Sequence, residues 1–162
     1  MMNYSKKQLF SLVALRMVIG WHFLYEGMVK VLNPAWTSKA YLLDSGGWFK
    51  QFFIEIANRD AVLQTTDLLN AYGLTYIGLA LILGVLGRAA AIAGMVLLAL
   101  YYLSHPAFPG IEYLFPSDGS YFIVNKTLIE FFALLLLFVF PTDHKVGVCR
   151  LIRNNKTEIN HE

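Results

Sequence analysis

Four apolar stretches punctuate the chain, and the polar positions inside them are not scattered. The first, Leu9 to Val31, reads LFSLVALRMVIGWHFLYEGMVKV and is long enough to cross a bilayer as a helix, which takes about 20 residues. Yet it carries Arg16, His22, Glu26 and Lys30. At about 100° per residue these four fall within an arc of roughly 120°, with Gly20 and Gly27 beside them, while the opposite faces are Leu, Val, Ile and Phe. Ionisable groups are costly in hydrocarbon, so the pattern predicts a span whose polar stripe looks into a bundle or wet cavity and whose apolar arc meets lipid. Lys6 and Lys7 precede the stretch as they would in a secretory signal. Its length, its internal charges and the lack of a small-residue cleavage site predict a retained span instead.

Asn33-Pro34 ends this helix, because the residue before proline is pushed out of helical geometry. Pro34 to Asn70 then reads as a long extramembrane segment with Trp36, Tyr41 and Trp48, aromatic types that settle at headgroup level. Within it Phe49, Phe52, Phe53 and Ile56 recur at helical spacing, predicting a short amphipathic helix that lies on the membrane or caps the bundle. Gly46-Gly47 breaks the chain before it, and Asp60 is the expected N-cap of a further helix. The second and third spans are expected at about 71–86 and 89–103, joined by a tight turn at Gly87-Arg88. Gly78, Gly84, Gly87, Gly94 and the neighbouring alanines let backbones approach closely, as helix packing in lipid favours. Ser104 to Ser120 is broken by prolines and glycines and reads as a loop. A fourth span follows at about 121–140, stopped by Pro141. The expected architecture is all-α, a four-transmembrane-helix bundle over residues 1–148 with a polar tail over 149–162.

Composition agrees, with 57% hydrophobic and 15% charged residues and a mean hydropathy of +0.52, far from a soluble domain of this size. A net charge of +2, with no basic face, argues against a nucleic-acid partner. The basic residues bear on orientation instead. Lys6, Lys7, Arg88, Lys145, Arg150, Arg153 and Lys156 fall on one side of a four-span chain, against Lys39, Lys50 and Arg59 on the other. The positive-inside rule then puts both termini in the cytoplasm and the two long loops outside the cell (inner) membrane. The single cysteine, Cys149, excludes an internal disulfide and a two-thiol relay within one chain and reads as an inert thiol.

The chemistry concentrates on the first and fourth spans. Lys126 and Glu130 are four apart on the fourth, as are His22, Glu26 and Lys30 on the first. Counted from the outer helix ends, Glu26 comes level with Lys126 and His22 with Glu130, so Glu26–Lys126 and His22–Glu130 contacts are expected. Lys30 comes level with Phe122, which leaves its ammonium unpaired and open to an incoming anion. The bland reading is that these pairs only hold the bundle together. Against it stands the number of ionisable groups that must be kept against desolvation, where leucine and glycine would have packed as well. Arg16, nearer the cytoplasmic end, either snorkels, pairs with a helix terminus or serves the site. Tyr101, Tyr102 and His105 at the outer end of the third span line the same cavity or belong to an interfacial belt.

RMVIGWHFLYEGMVK on the first helix, GLALILGVLGRAAAIAGM across the hairpin, NKTLIEFFALLLLF on the fourth helix and the Pro-Thr-Asp after it together resemble the DoxX/DoxD family of four-helix membrane proteins. The resemblance runs from Leu9 to about Val148, with matching positions at Arg16, Glu26, Lys30, Arg88, Asn125, Lys126 and Glu130. It implies a membrane subunit linked to quinone chemistry, and in the DoxD branch a thiosulfate:quinone oxidoreductase. On that footing His22, Glu26 and Glu130 are the candidate catalytic groups, handling protons, and Arg16, Lys30, Asn125 and Lys126 the candidate substrate-binding groups. A quinone would be the acceptor and a small anionic sulfur compound the donor, with a second subunit or another copy of the chain as a further partner. No haem, flavin, iron–sulfur or metal motif is recognisable, so electrons would pass directly between substrate and quinone or through a partner. The alternative expectation is a non-catalytic anchor or scaffold that docks a redox partner on the aromatic outer loop, or a small-molecule or lipid-binding membrane protein.

Overall fold

A computed structural model describes residues 3–114 and 122–148. Arg150, Arg153, Lys156, Cys149 and the rest of the predicted tail lie outside them. Six helices form among the described residues: α1 Lys6–Val31, α2 Lys39–Leu43, α3 Lys50–Asn58, α4 Asp60–Leu83, α5 Gly87–Ser104 and α6 Lys126–Val139. Three of these, α1, α4 and α5, are long and apolar enough to cross a membrane. Their outward faces carry Val18, Trp21, Tyr25, Tyr76, Leu79, Ile92, Val96 and Leu100, all exposed, which is the surface a helical membrane protein turns to lipid.

Helix α1 starts earlier than its apolar run because Ser5 caps it. The Ser5 side chain accepts from the Gln8 amide and the Gln8 side chain accepts from the Ser5 amide, a reciprocal box that satisfies two otherwise orphaned donors. Helix α4 departs most from expectation. Asp60 is its first residue rather than its cap, and the helix runs unbroken through the polar stretch into the apolar one. Thr65 and Thr66 make this workable by bonding back to the Ala61 and Val62 carbonyls at 2.9 and 2.8 Å, within the helix itself. The turn to α5 is Gly84 to Leu86, not Gly87-Arg88, because Gly84 takes a left-handed conformation at φ 64° and closes α4 there. Gly87 and Arg88 already belong to α5. Helix α6 is shorter than the expected fourth span. Asn125 is extended and caps it, so its helical length is about 21 Å, below the ~30 Å of a hydrocarbon core.

Helix α1 packs along α4, and α5 along α6, with α4 against α5 joining the two pairs. Phe23, Leu74, Leu81, Ala91, Leu98 and Leu134 sit at the shared centre. The α1–α4 contact is a backbone-on-backbone crossing, in which a Cβ added at Gly78 would lie 2.7 Å from the Gly20 carbonyl oxygen. A second, smaller core forms outside the bundle, where Leu42 of α2, Phe53 and Ala57 of α3 and Leu63 of α4 are buried together. The segment after α1 is therefore a packed cap on the bundle. Of the predicted apolar face of α3, Phe53 turns into this core, whereas Phe49 and Phe52 remain exposed.

Candidate functional site

A cavity of about 570 Å³ opens between the helices at the end of the bundle under the α2–α3 cap. Helix α1 contributes His22, Phe23, Glu26 and Lys30, and α6 contributes Lys126, Thr127 and Glu130. Helix α4 adds Asn70 and Leu74, α5 adds Leu98 and Tyr101, and the cap adds Trp36 through Ser38, Ala40 and Tyr41. Five carboxylate, amine and imidazole side chains thus meet one space with largely apolar and aromatic walls, the usual make-up of a small-molecule site.

His22 Nε2 lies 3.6 Å from Glu130 Oε1, which joins α1 to α6 across the cavity. The Glu26–Lys126 contact does not form in the same way. Lys30 Nζ instead donates to Glu26 Oε2 at 3.1 Å along α1, so Lys30 is not the unpaired ammonium expected from the helix register. A Glu four residues before a Lys is the favoured orientation for such a pair on one helix, and it competes well where α1 and α6 touch only sparsely. The Lys30 ammonium is mostly buried and also lies 5.5 Å from the centre of the Trp36 ring, within cation–π range. Lys126 shares the cavity with both members of this pair.

Arg16 and Asn125 do not belong to the cavity. Arg16 is buried towards the other end of the bundle, where its Nη1 donates to Thr142 Oγ1 at 2.9 Å and to Asp143 Oδ1 at 3.2 Å. Asp143 Oδ2 accepts from the Gly87 amide at 3.0 Å, so one carboxylate ties α1, the first residue of α5 and the segment after α6. Pairing with the chain beyond α6, rather than snorkelling, is what holds this guanidinium. Asn125 Oδ1 accepts from the Leu128 amide at 3.0 Å, and its role is to cap α6 and so aim Lys126 and Glu130. Arg88 is exposed on the first turn of α5.

Residues of the cap and of α4 are the ones that periodicity on the first and fourth helices does not reveal. Asn70 is one residue outside the expected second span, and it reaches the cavity because α4 begins at Asp60, well before that span. Tyr41 lines the cavity and stacks on His105, ring centres 3.9 Å apart, with Tyr113 on the imidazole at 4.7 Å. Asp44 Oδ2 stands 3.8 Å from His105 Nε2, and its two oxygens also accept from the Leu114 amide. Ser104 Oγ bonds His105 Nδ1 at 3.0 Å and Ser45 Oγ at 2.6 Å. His105 therefore anchors the cap to the end of α5, and of the three side chains grouped there only Tyr101 lines the cavity itself, since Tyr102 donates to the Ile123 carbonyl at 2.8 Å. Among the described residues no three His, Cys, Asp or Glu side chains converge as a metal site would need.

Burial lowers the His105 pKa from its ordinary value, and Asp44 opposes that shift without cancelling it. Tyr41 and Tyr113, on either face, are pushed upward by burial and stay neutral. Because the unfolded chain takes up the proton more readily, stability tied to His105 is present above its ordinary pKa of about 6.5 and is lost as pH falls below it. Lowering the pH from about 7.5 to about 5.5 should depress the melting temperature of the detergent-solubilised protein. His105→Phe, which keeps a ring between the tyrosines, should melt with a flatter pH dependence. An equal slope in the two proteins would assign the effect to other groups.

No protein family, curated protein or solved structure matches the chain. The arrangement of its own residues is what bears on its function.

Proposed function

We propose that the chain is a four-span membrane protein of DoxX/DoxD type whose cavity binds a quinone, and that it serves as a redox subunit passing electrons from a small sulfur anion such as thiosulfate. Helix α6 with its apolar flanks Phe122 to Val124 and Phe140 would supply the fourth crossing. The positively charged ends, with Lys6, Lys7, Arg88 and Lys145, would face the cytoplasm and the α2–α3 cap the outside of the cell membrane.

The observation that carries this reading is the His22–Glu130 pair in the wall of a cavity otherwise bounded by Phe23, Leu74, Leu98, Trp36 and Tyr41. A flat apolar head group fits such walls, and its reduction needs protons delivered where it sits. In the overall step two thiosulfates lose one electron each and form the central S–S bond of tetrathionate. The quinone takes both electrons with two protons and becomes the hydroquinone. Here the quinone supplies the electron sink. His22 and Glu130 would hold and release protons at its oxygens, and Lys30 and Lys126 would draw the dianion into the cavity by charge.

Purified protein extracted with organic solvent should release a quinone, and membranes containing the protein should reduce quinone when given thiosulfate. Glu130→Gln should keep the fold but slow that reduction by about a hundredfold, the size expected for loss of a positioned proton carrier. An empty extract with no thiosulfate-dependent reduction would make the chain an anchor instead. Trp48, Phe49 and Phe52, exposed on the cap, would then be its docking surface.

A further inference from the structure

The cavity's charged and neutral walls differ in how well their polar atoms are satisfied. On α1 and α6, Lys30 bonds Glu26 and His22 faces Glu130. On α4 and α5 the polar atoms are neutral, and two of them, Asn70 Oδ1 and Tyr101 Oη, are buried and make no hydrogen bond. The Asn70 amide lies within hydrogen-bonding range of the Tyr101 hydroxyl, and Glu26 places negative charge nearby. Even so, no aligned hydrogen bond joins the tyrosine to the amide oxygen. Buried polar atoms without partners are rare in folded proteins, and where they line a cavity the partner is what fills it.

We propose that Asn70 and Tyr101 form a subsite for one hydroxyl group, with Tyr101 donating to its oxygen and Asn70 Oδ1 accepting its hydrogen. The proposal rests on the quinone reading and sharpens it. A hydroxyl satisfies both atoms through a single oxygen, whereas a quinone carbonyl satisfies only the tyrosine. An anion such as thiosulfate would set negative charge against the Asn70 oxygen and gains nothing there. Phe23, Leu74, Leu98 and Trp36 supply the apolar surface for the ring that carries the hydroxyl. The ligand class is therefore a neutral phenol, here the hydroquinone, and the site holds the reduced form in preference to the oxidised one. That preference favours quinone reduction in the cavity, because the two-electron, two-proton product is the better-bound species.

A short-chain benzoquinone and its hydroquinone, identical but for the two hydroxyl hydrogens, separate the possibilities. Each is titrated against the full chain in lipid nanodiscs, under argon, with tryptophan fluorescence as the readout, since Trp36 lines the cavity. The hydroquinone should bind about tenfold more tightly, the equivalent of one net hydrogen bond. Asn70→Leu and the smaller Asn70→Ala should each remove that preference by weakening the hydroquinone alone, and Tyr101→Phe should weaken both forms. Equal binding of the two forms by the unaltered protein, or a preference that survives both Asn70 variants, overturns the subsite and leaves the quinone reading standing. Either result is also what a water bridging the two side chains would give. Failure of the unaltered protein to bind either form overturns both.

Discussion

Replacing Arg16 by methionine should destabilise the protein by about 3–5 kcal/mol, the range for removing one partner of a buried ion pair. The side chains of both Arg16 and Asp143 are at most 10% exposed, so water does not take over when one is lost. The methionine fills similar space but leaves the Asp143 carboxylate with only the Gly87 amide and a stranded charge. Asp143→Asn should also destabilise, because it strands the guanidinium while keeping an oxygen for Gly87. The double variant Arg16→Met with Asp143→Asn removes both charges and should lose much less than the sum of the two single changes. Thermal melting of the four proteins in detergent closes the cycle. Strict additivity would mean that the 3.2 Å contact contributes no coupling. Loss of ligand binding in Arg16→Met without any change in melting would return Arg16 to the cavity, where the geometry does not put it.

How far the sequence reveals this molecule depends on whether a feature is written within one helix or between distant segments. The polar stripe of α1 is legible because Arg16, His22, Glu26 and Lys30 repeat at helical spacing in an apolar run, and the meeting of His22 with Glu130 follows from setting two such helices side by side. The Glu26–Lys126 pairing fails by the same logic applied one turn further. A partner four residues away on the same helix is always within reach, whereas a cross-helix partner requires close approach, and α1 and α6 touch only sparsely. The Arg16–Asp143 tie is invisible to periodicity, since it joins residues 127 positions apart through a non-helical segment after α6. Asn70 and Tyr41 are hidden for a related reason. Hydropathy marks where apolar sequence begins, not where a helix begins: α4 continues through Thr65 and Thr66, whose hydroxyls bond its own carbonyls, and Tyr41 reaches the cavity from α2, outside every apolar run.

The sign of a glycine-to-alanine change should reverse over five residues of α4. In a helix interior alanine is favoured over glycine by about 1 kcal/mol, so Gly73→Ala should be neutral or stabilising by up to that amount. Its new methyl group would meet only Leu97 Cδ1, at 3.8 Å, an ordinary contact. Gly78→Ala places the same methyl 2.7 Å from both the Gly20 carbonyl oxygen and Leu24 Cα. Those are backbone atoms of α1 and no rotamer change can move them aside. The two helices must separate, and because Gly27 rests in the same way on the Thr75 backbone two turns further along α1, separation unseats the whole crossing. The expected loss is about 1–3 kcal/mol or more, against the intrinsic gain from alanine, and it should grow in Gly78→Leu until little folded protein is recovered. Separation of α1 from α4 also widens the cavity wall that carries Asn70, so Gly78→Ala should weaken ligand binding along with melting temperature while Gly73→Ala changes neither for the worse. Equal melting of the two alanine variants would mean that α1 and α4 are not in backbone contact, and the placement of the cavity between them would fall with that contact.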